Sequence, residues 1–222
     1  ESNTRYIFES MRCNGLIVDP LKNLKNEVRK NTIDFWKNNL VIVNDLATPE
    51  NINFILEKND FDDKIDLFSI DIDGIDYWVI KELKKNISKI FVAEYNPYFG
   101  PDLEITVPYI KNFHRTSYHY SNLCFGASLR AIIDLMQEKN FTFVGTNLTR
   151  CNAFFVHNNY SDYINTQLPD LDNLSKHTNS NIRESRDKND NLNYLSGNER
   201  VKNIFECEIF DIEDQKLKKI QN

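Results

Sequence analysis

Two aspartates separated by one residue, Asp71 and Asp73, and a glutamate further on, Glu94, are the side chains here best suited to chemistry on a bound ligand. The pair ends a short apolar run, Leu67, Phe68 and Ile70, the pattern of a strand covered on both faces. If extension runs on to Asp73, both carboxylates project to one side, because strand side chains repeat every two residues. Gly74 then permits a tight turn, and Ile75, Trp78, Val79 and Leu83 follow at helical spacing. Carboxylates at the C-terminal end of a buried parallel strand stand at the edge where open α/β sheets bind ligands. The competing reading is that Asp71 or Asp73 caps the helix.

The flanking elements that would position these acids repeat one pattern. Leu16-Ile17-Val18, Leu40-Val41-Ile42-Val43 and Ile90-Phe91-Val92-Ala93 are further apolar strands. They end in Asp19, in Asn44-Asp45 and in Glu94-Tyr95-Asn96 respectively. Helical patterns lie between them. One runs from about Asn3 to Asn14, closed by Gly15. Another follows Pro20 with Leu21, Leu24, Val28 and Phe35 on one face. A third opens at Thr48-Pro49 with Ile52, Ile55 and Leu56, and the helix after Gly74 runs to about Lys85. Strands alternating with helices at this spacing predict βαβ units and a parallel sheet with a polar rim along one edge.

From Tyr98 to Phe125 the alternation stops. The segment is rich in Tyr, Pro, His and Gly, and its aromatics argue for an ordered loop over the site rather than disorder. The alternative is a loop packed on the sheet edge without substrate contact. Ser128 then caps a helix bearing Leu129, Ile132, Ile133 and Met136. Phe141–Val144 and Ala153–Val156 read as an antiparallel hairpin. After His157 the composition turns to Asn, Asp and Ser. Residues 1–157 are expected to form the α/β domain and 158–222 a loosely packed extension. Within it, Val201, Ile204 and Phe205 suit a short helix, and Ile209–Ile212 a small strand.

Composition narrows the partners. The chain of 222 residues carries a net charge of −6, which argues against nucleic acid as a bulk electrostatic partner. No apolar run is long enough to span a membrane. Cys13, Cys124, Cys151 and Cys207 lie far apart without a CxxC spacing, so reduced thiols and a cytoplasmic location are expected.

Parallel strands followed by a helix and a closing antiparallel hairpin resemble the class I S-adenosylmethionine-dependent methyltransferase fold. The local sequences from Asp66 to Gly74, from Glu94 to Pro97, from Phe125 to Leu129 and from Asn152 to Val156 resemble the FkbM-type methyltransferases and their relatives. The likeness covers residues 2 to about 157. It implies an α/β, Rossmann-like sheet with helices on both faces, and S-adenosylmethionine as cofactor. Position by position, it implies that Asp19 binds the ribose hydroxyls and that Asp45, with Asn44 as a second candidate, contacts the adenine amine. Asp71 would lie next to the transferred methyl, and Glu94 and Asn96 on the substrate side. The family has a strand and a glycine-rich loop before its first helix. The sequence opens at Glu1-Ser2-Asn3, where that loop would end, and Asn3 is placed with the cofactor residues on this basis. The strand so implied would lie between the Leu16 strand and the Leu67 strand. Otherwise these two pair directly, or Ile209–Ile212 enters between them.

The resulting expectation is methyl transfer to an oxygen of a small or sugar-like acceptor. Such a reaction needs in-line geometry and removal of a hydroxyl proton, with Asp71, Glu94 and His119 as candidate bases. Asp73, Asn96 and Tyr98 are the candidate acceptor-binding residues. Asp71, Asp73 and Glu94 are also a candidate Mg²⁺ set. Rival readings are a non-catalytic, methyltransferase-like binding module, a truncated fragment of such an enzyme, and a nucleotide-sugar enzyme using Asp71-Ile72-Asp73 as a metal-binding DxD.

Overall fold

The computed structural model describes residues 3–11, 13–31, 39–62, 65–180 and 185–221. In chain order the first elements are α1 (Arg5–Ser10), β1 (Asn14–Val18), α2 (Leu24–Asn31), β2 (Asn39–Val43), α3 (Ile52–Lys58), β3 (Ile65–Ile70), α4 (Asp76–Glu82) and β4 (Ser88–Glu94). Then follow a 3-10 turn at Pro97–Phe99, β5 (Ile105–Thr106), α5 (Arg115–Tyr118), α6 (Leu129–Glu138), β6 (Phe141–Thr146) and β7 (Asn152–His157). The chain closes with a second 3-10 stretch at Asn158–Tyr163, α7 (Ser175–Thr178), α8 (Asn198–Asn203), β8 (Glu208–Asp211) and β9 (Lys216–Lys219).

The molecule is a mixed α/β structure. Its main sheet has four strands in the order β3-β4-β7-β6. β3 and β4 are parallel, and the β6–β7 hairpin adds antiparallel to β4. The reason is in the side chains. Phe68, Phe91, Phe155 and Phe143 are register partners across the sheet and share one face, where Phe68 stacks on Phe91 at 5.0 Å. α6 covers this layer with Leu129, Ile132, Ile133 and Met136, all buried, and α4 adds Val79 and Ile80. Ser128 starts α6 by accepting from Ala131 N at 3.2 Å, which satisfies one of the first-turn donors.

β1 and β2 form a separate parallel pair. Leu16 and Val18 pack against the main core, yet no ladder joins β1 to β3 among the described residues. The two strands do not close up on one another, and Ile209–Ile212 does not enter between them. Instead β8 pairs with β5, and β9 with β8, in a third sheet.

That third sheet ties the residues after 157 to the 98–125 segment. The stretch after residue 157 is not loosely attached. Leu174, Arg200, Ile204, Cys207 and Ile209 are buried, and the last three share a second core with Phe99, Val107, Leu123 and Phe125 from the 98–125 segment. Cys124 and Cys207 form a disulfide across this core, so the expectation of four reduced thiols fails. Disulfides are characteristic of oxidising compartments. No helix among the described residues is long and apolar enough to cross a membrane.

Several element limits also move. The first helix stops at Ser10, and Gly15 lies inside β1 rather than closing a helix. The second begins at Leu24, leaving Leu21 exposed, while Phe35 lies outside the described residues. The helix after the acidic turn ends at Glu82, short of Lys85.

Candidate functional site

The acidic turn is built differently from a strand that simply runs on. β3 ends at Ile70, and Asp73 takes a left-handed backbone with φ of 56°. Asp71 and Asp73 are therefore not related by strand periodicity. Aspartate tolerates this conformation better than most residues. Gly74 is required for a different reason. A Cβ there would stand 2.3 Å from Phe113 Cδ1, so the glycine admits the ring that the 98–125 segment lays on the turn.

The turn is held by a residue that the motif did not single out. Asp76, fully buried at the start of α4, accepts from Ile72 N at 2.9 Å and Gly74 N at 3.0 Å. Burial raises its pKa to about 6, against the pull of these two N–H donors, and the charge of Asp71 pushes the same way as burial. No side-chain cap bond starts α4, whose N-cap is Ile75, and Asp76 braces the turn before the helix rather than offering its oxygens to a ligand.

Glu94 ends β4 beside this turn. It is 8% exposed, and among the described residues its Oε2 has no hydrogen-bond partner. Burial is the largest cause that pushes its pKa well above the ordinary carboxylate range, followed by the neighbouring carboxylates of Asp76, Asp71 and Asp73. Arg115, on α5, opposes them. Its guanidinium also donates to Asp73 Oδ1 and lies 4.6 Å from the centre of the Phe125 ring. The 98–125 segment is thereby fastened over the acidic turn by a charged side chain, with Trp78 Nε1 donating to Val107 O at 2.9 Å as a second tie.

Glu94 shares a sheet face with Val92, and so with Ser69, the register partner of Val92. Asn152 is the register partner of Glu94 itself. Asn3 reaches both, its Nδ2 donating to Ser69 Oγ at 3.3 Å and Asn152 Oδ1 at 3.1 Å. Asn3 is therefore brought to the same end of the sheet as Glu94.

Other candidates are placed otherwise. Asn96 is completely buried. Its Nδ2 donates to Leu123 O and Phe125 O, and its Oδ1 accepts from Tyr98 N, so its amide brackets the loop instead of facing an acceptor. Tyr98 is buried as well. The Arg200 guanidinium lies 5.5 Å from its ring centre, and burial raises the phenol's pKa. Both support the segment through these contacts. The His119 ring bonds Ser121 Oγ at 2.7 Å and packs on Tyr120, and burial lowers its pKa. Among the described residues no hydrogen bond or ion pair joins it to the acids.

At the ends of β1 and β2, Asp19 and Asn44 are neighbours, since the strands are parallel and in register. Asn44 Nδ2 donates to Asp19 O and Leu21 O. Asp19 Oδ1 accepts from Leu21 N at 2.7 Å, and Asp45 Oδ1 from Leu46 N at 2.8 Å. Asp45 is exposed and Asp19 half-buried, and each carboxylate has a second oxygen able to accept a hydrogen bond.

Among the described residues no group of three or more His, Cys, Asp and Glu side chains is arranged to hold a metal ion. Asp71, Asp73 and Glu94 do not form such a set, and Asp73 is paired with Arg115. Asp76, Arg115 and Asn152 are the site residues that the sequence reading missed. Only Asp76 carried a local signal, an acid in the first turn of a helix after a glycine. Comparisons with family models, curated proteins and solved structures find no match to this chain.

Proposed function

We propose that this chain is an S-adenosylmethionine-dependent methyltransferase domain of Rossmann-like type that methylates a hydroxyl oxygen of a small or sugar-like acceptor. The observation that carries the reading is Glu94: a buried carboxyl with an unpaired oxygen and a raised pKa, at the end of a parallel strand beside the acidic turn. A general base works best when its pKa lies near the working pH, and burial among like charges moves a glutamate in that direction. The cofactor, when bound, supplies a methyl group on a sulfonium centre.

Glu94 takes the proton from the acceptor hydroxyl, with the hydroxyl placed at its unpaired Oε2. Asp76 keeps the turn closed, so that Asp71 is presented at the strand end. Arg115 draws the 98–125 segment onto the turn and limits water around Glu94, which strengthens every local electrostatic interaction. Asp19 accepts from the ribose hydroxyls and Asp45 from the adenine amine, while Asn3 lines the end of the sheet near Glu94.

A second reading is favoured by two observations. Asp19 and Asp45 each use an oxygen to brace their own turns, and among the described residues no strand joins β1 to β3. A domain of that kind would bind a ligand or partner without the cofactor. Calorimetry with S-adenosylhomocysteine separates the two. Saturable binding that is weakened in Asp19→Ala supports the methyltransferase. Absence of binding by the folded chain leaves the binding module as the better account.

A further inference from the structure

A cavity of about 340 Å³ opens beside the N-terminal end of α3, lined by Pro49, Glu50, Trp78, Glu82 and Tyr109. Its aromatic wall is fixed in place. The Trp78 indole is tied to Val107 O, and Phe210 packs against it edge-on at 5.2 Å. Tyr109 lies 6.3 Å from Trp78, ring centre to ring centre, and its hydroxyl donates to Glu50 Oε1 at 2.5 Å. That bond sets one carboxylate beside the two rings. The Glu82 carboxylate, one helical turn beyond Trp78 on α4, supplies a second.

The charge balance of the lining is one-sided. It holds two carboxylates and no base, and neither acid takes part in a salt bridge among the described residues. Lys81 Nζ already lies 5.6 Å from the Trp78 ring centre, so this indole attracts a cation within the protein itself. Lys111 is the base felt by Glu50, and it does not line the cavity.

We propose that this cavity binds an organic cation, an alkylammonium or guanidinium group, against Trp78 and Tyr109 with Glu50 and Glu82 as its counter-charges. Aromatic faces attract cations through their quadrupole, most strongly for indole, and the two carboxylates add direct Coulomb attraction. An anion would be repelled by both acids. A neutral apolar group would strip water from the carboxylates without replacing it. The cavity is separate in the chain from Glu94, and its occupancy does not depend on the methyl-transfer reading.

The test uses the whole chain with Trp36→Phe, which leaves Trp78 as the sole tryptophan. Its fluorescence is titrated with n-butylammonium, with n-butylguanidinium and with n-butanol as the neutral control. The expected result is a saturable change with at least one cation, none with butanol over the same range, and affinity at least tenfold lower in Glu50→Gln/Glu82→Gln. Those carboxamides keep the shape and remove the charge. Lys81→Met, which removes the internal cation, should bind the probe at least as tightly. Saturable binding of butanol equal to that of the cations overturns the proposal. So does an affinity unchanged in the double variant, or no saturable change with either cation while circular dichroism shows a folded protein.

Discussion

The ends of β3 and β4 and the ends of β1 and β2 carry the same written signature, an apolar strand closing in acids or amides, yet they are physically opposite. At β1 and β2 Asp19 is half-buried and Asp45 exposed, and each caps the backbone of the next residue or the one after. At β3 and β4 one acid, Asp76, is sunk into the turn, and another, Glu94, is buried with an oxygen unpaired. A segment packed from outside creates the difference. Phe113 sits on Gly74, and Arg115 on Asp73 and Phe125. Burial with an oxygen left unpaired, not residue type, separates Glu94 from the carboxylates that fold their turns, the buried Asp76 included.

The largest effect is expected at Glu94. Glu94→Gln keeps the shape and should lower methyl transfer by roughly 10²–10⁴-fold, the usual contribution of a general base. The same change should alter stability in the opposite sense. The folded-state pKa of Glu94 is raised, so its contribution to stability is complete below the ordinary glutamate pKa and is lost as pH rises through the folded value. Glu94→Gln should therefore unfold at a higher temperature than the parent at pH 8, with the gain shrinking towards pH 4. Thermal melts across that range check it.

Next comes the turn. Asp76→Ala leaves the buried N–H groups of Ile72 and Gly74 without an acceptor, at a cost of about 2–5 kcal/mol in total. Asp45→Ala at the exposed turn should cost about 1 kcal/mol or less. Urea unfolding of both variants measures the contrast directly, and equal costs would erase the distinction between the two regions.

Asp19→Ala should weaken S-adenosylhomocysteine binding by about 1–3 kcal/mol, the range for losing a charged hydrogen-bond partner, while unfolding stays near the parent's. Calorimetry and urea titration of one preparation read both. A small stability change is also expected for Asp73→Asn. Its pair with Arg115 has the aspartate side chain 58% exposed, so the loss should be under about 1 kcal/mol. Turnover should fall more than stability, because the variant loosens the segment that covers Glu94.

Much of the framework was legible because it is local. The runs around Leu16, Val41, Phe68 and Phe91, the Ser128 cap and the Phe141–Val156 hairpin each show period and punctuation within a few residues. The left-handed Asp73 was not legible, because aspartate adopts both regions and only the packing of Phe113 and the bracing by Asp76 decide it. Asp71 and Glu94 could be placed at strand ends, but the burial of Glu94 depends on residues from 98 to 125 and beyond. Asn96 and Tyr98 read as ligand contacts because a polar amide and a phenol after a strand look available. Their partners, Leu123, Phe125 and Arg200, lie 27, 29 and 102 residues away. The Cys124–Cys207 disulfide spans 83 residues, a separation that no local spacing rule recognises.

The central claim is that Glu94 is a buried acid poised to exchange its proton. Carbon-13 NMR of the labelled glutamate carboxyls, titrated from pH 3 to pH 9 and assigned with Glu94→Gln, tests it most directly. The account predicts one carboxyl, absent from the variant, with a midpoint well above the ordinary 4.5 of a glutamate. A Glu94 resonance that titrates with the exposed glutamates in a folded protein would contradict it.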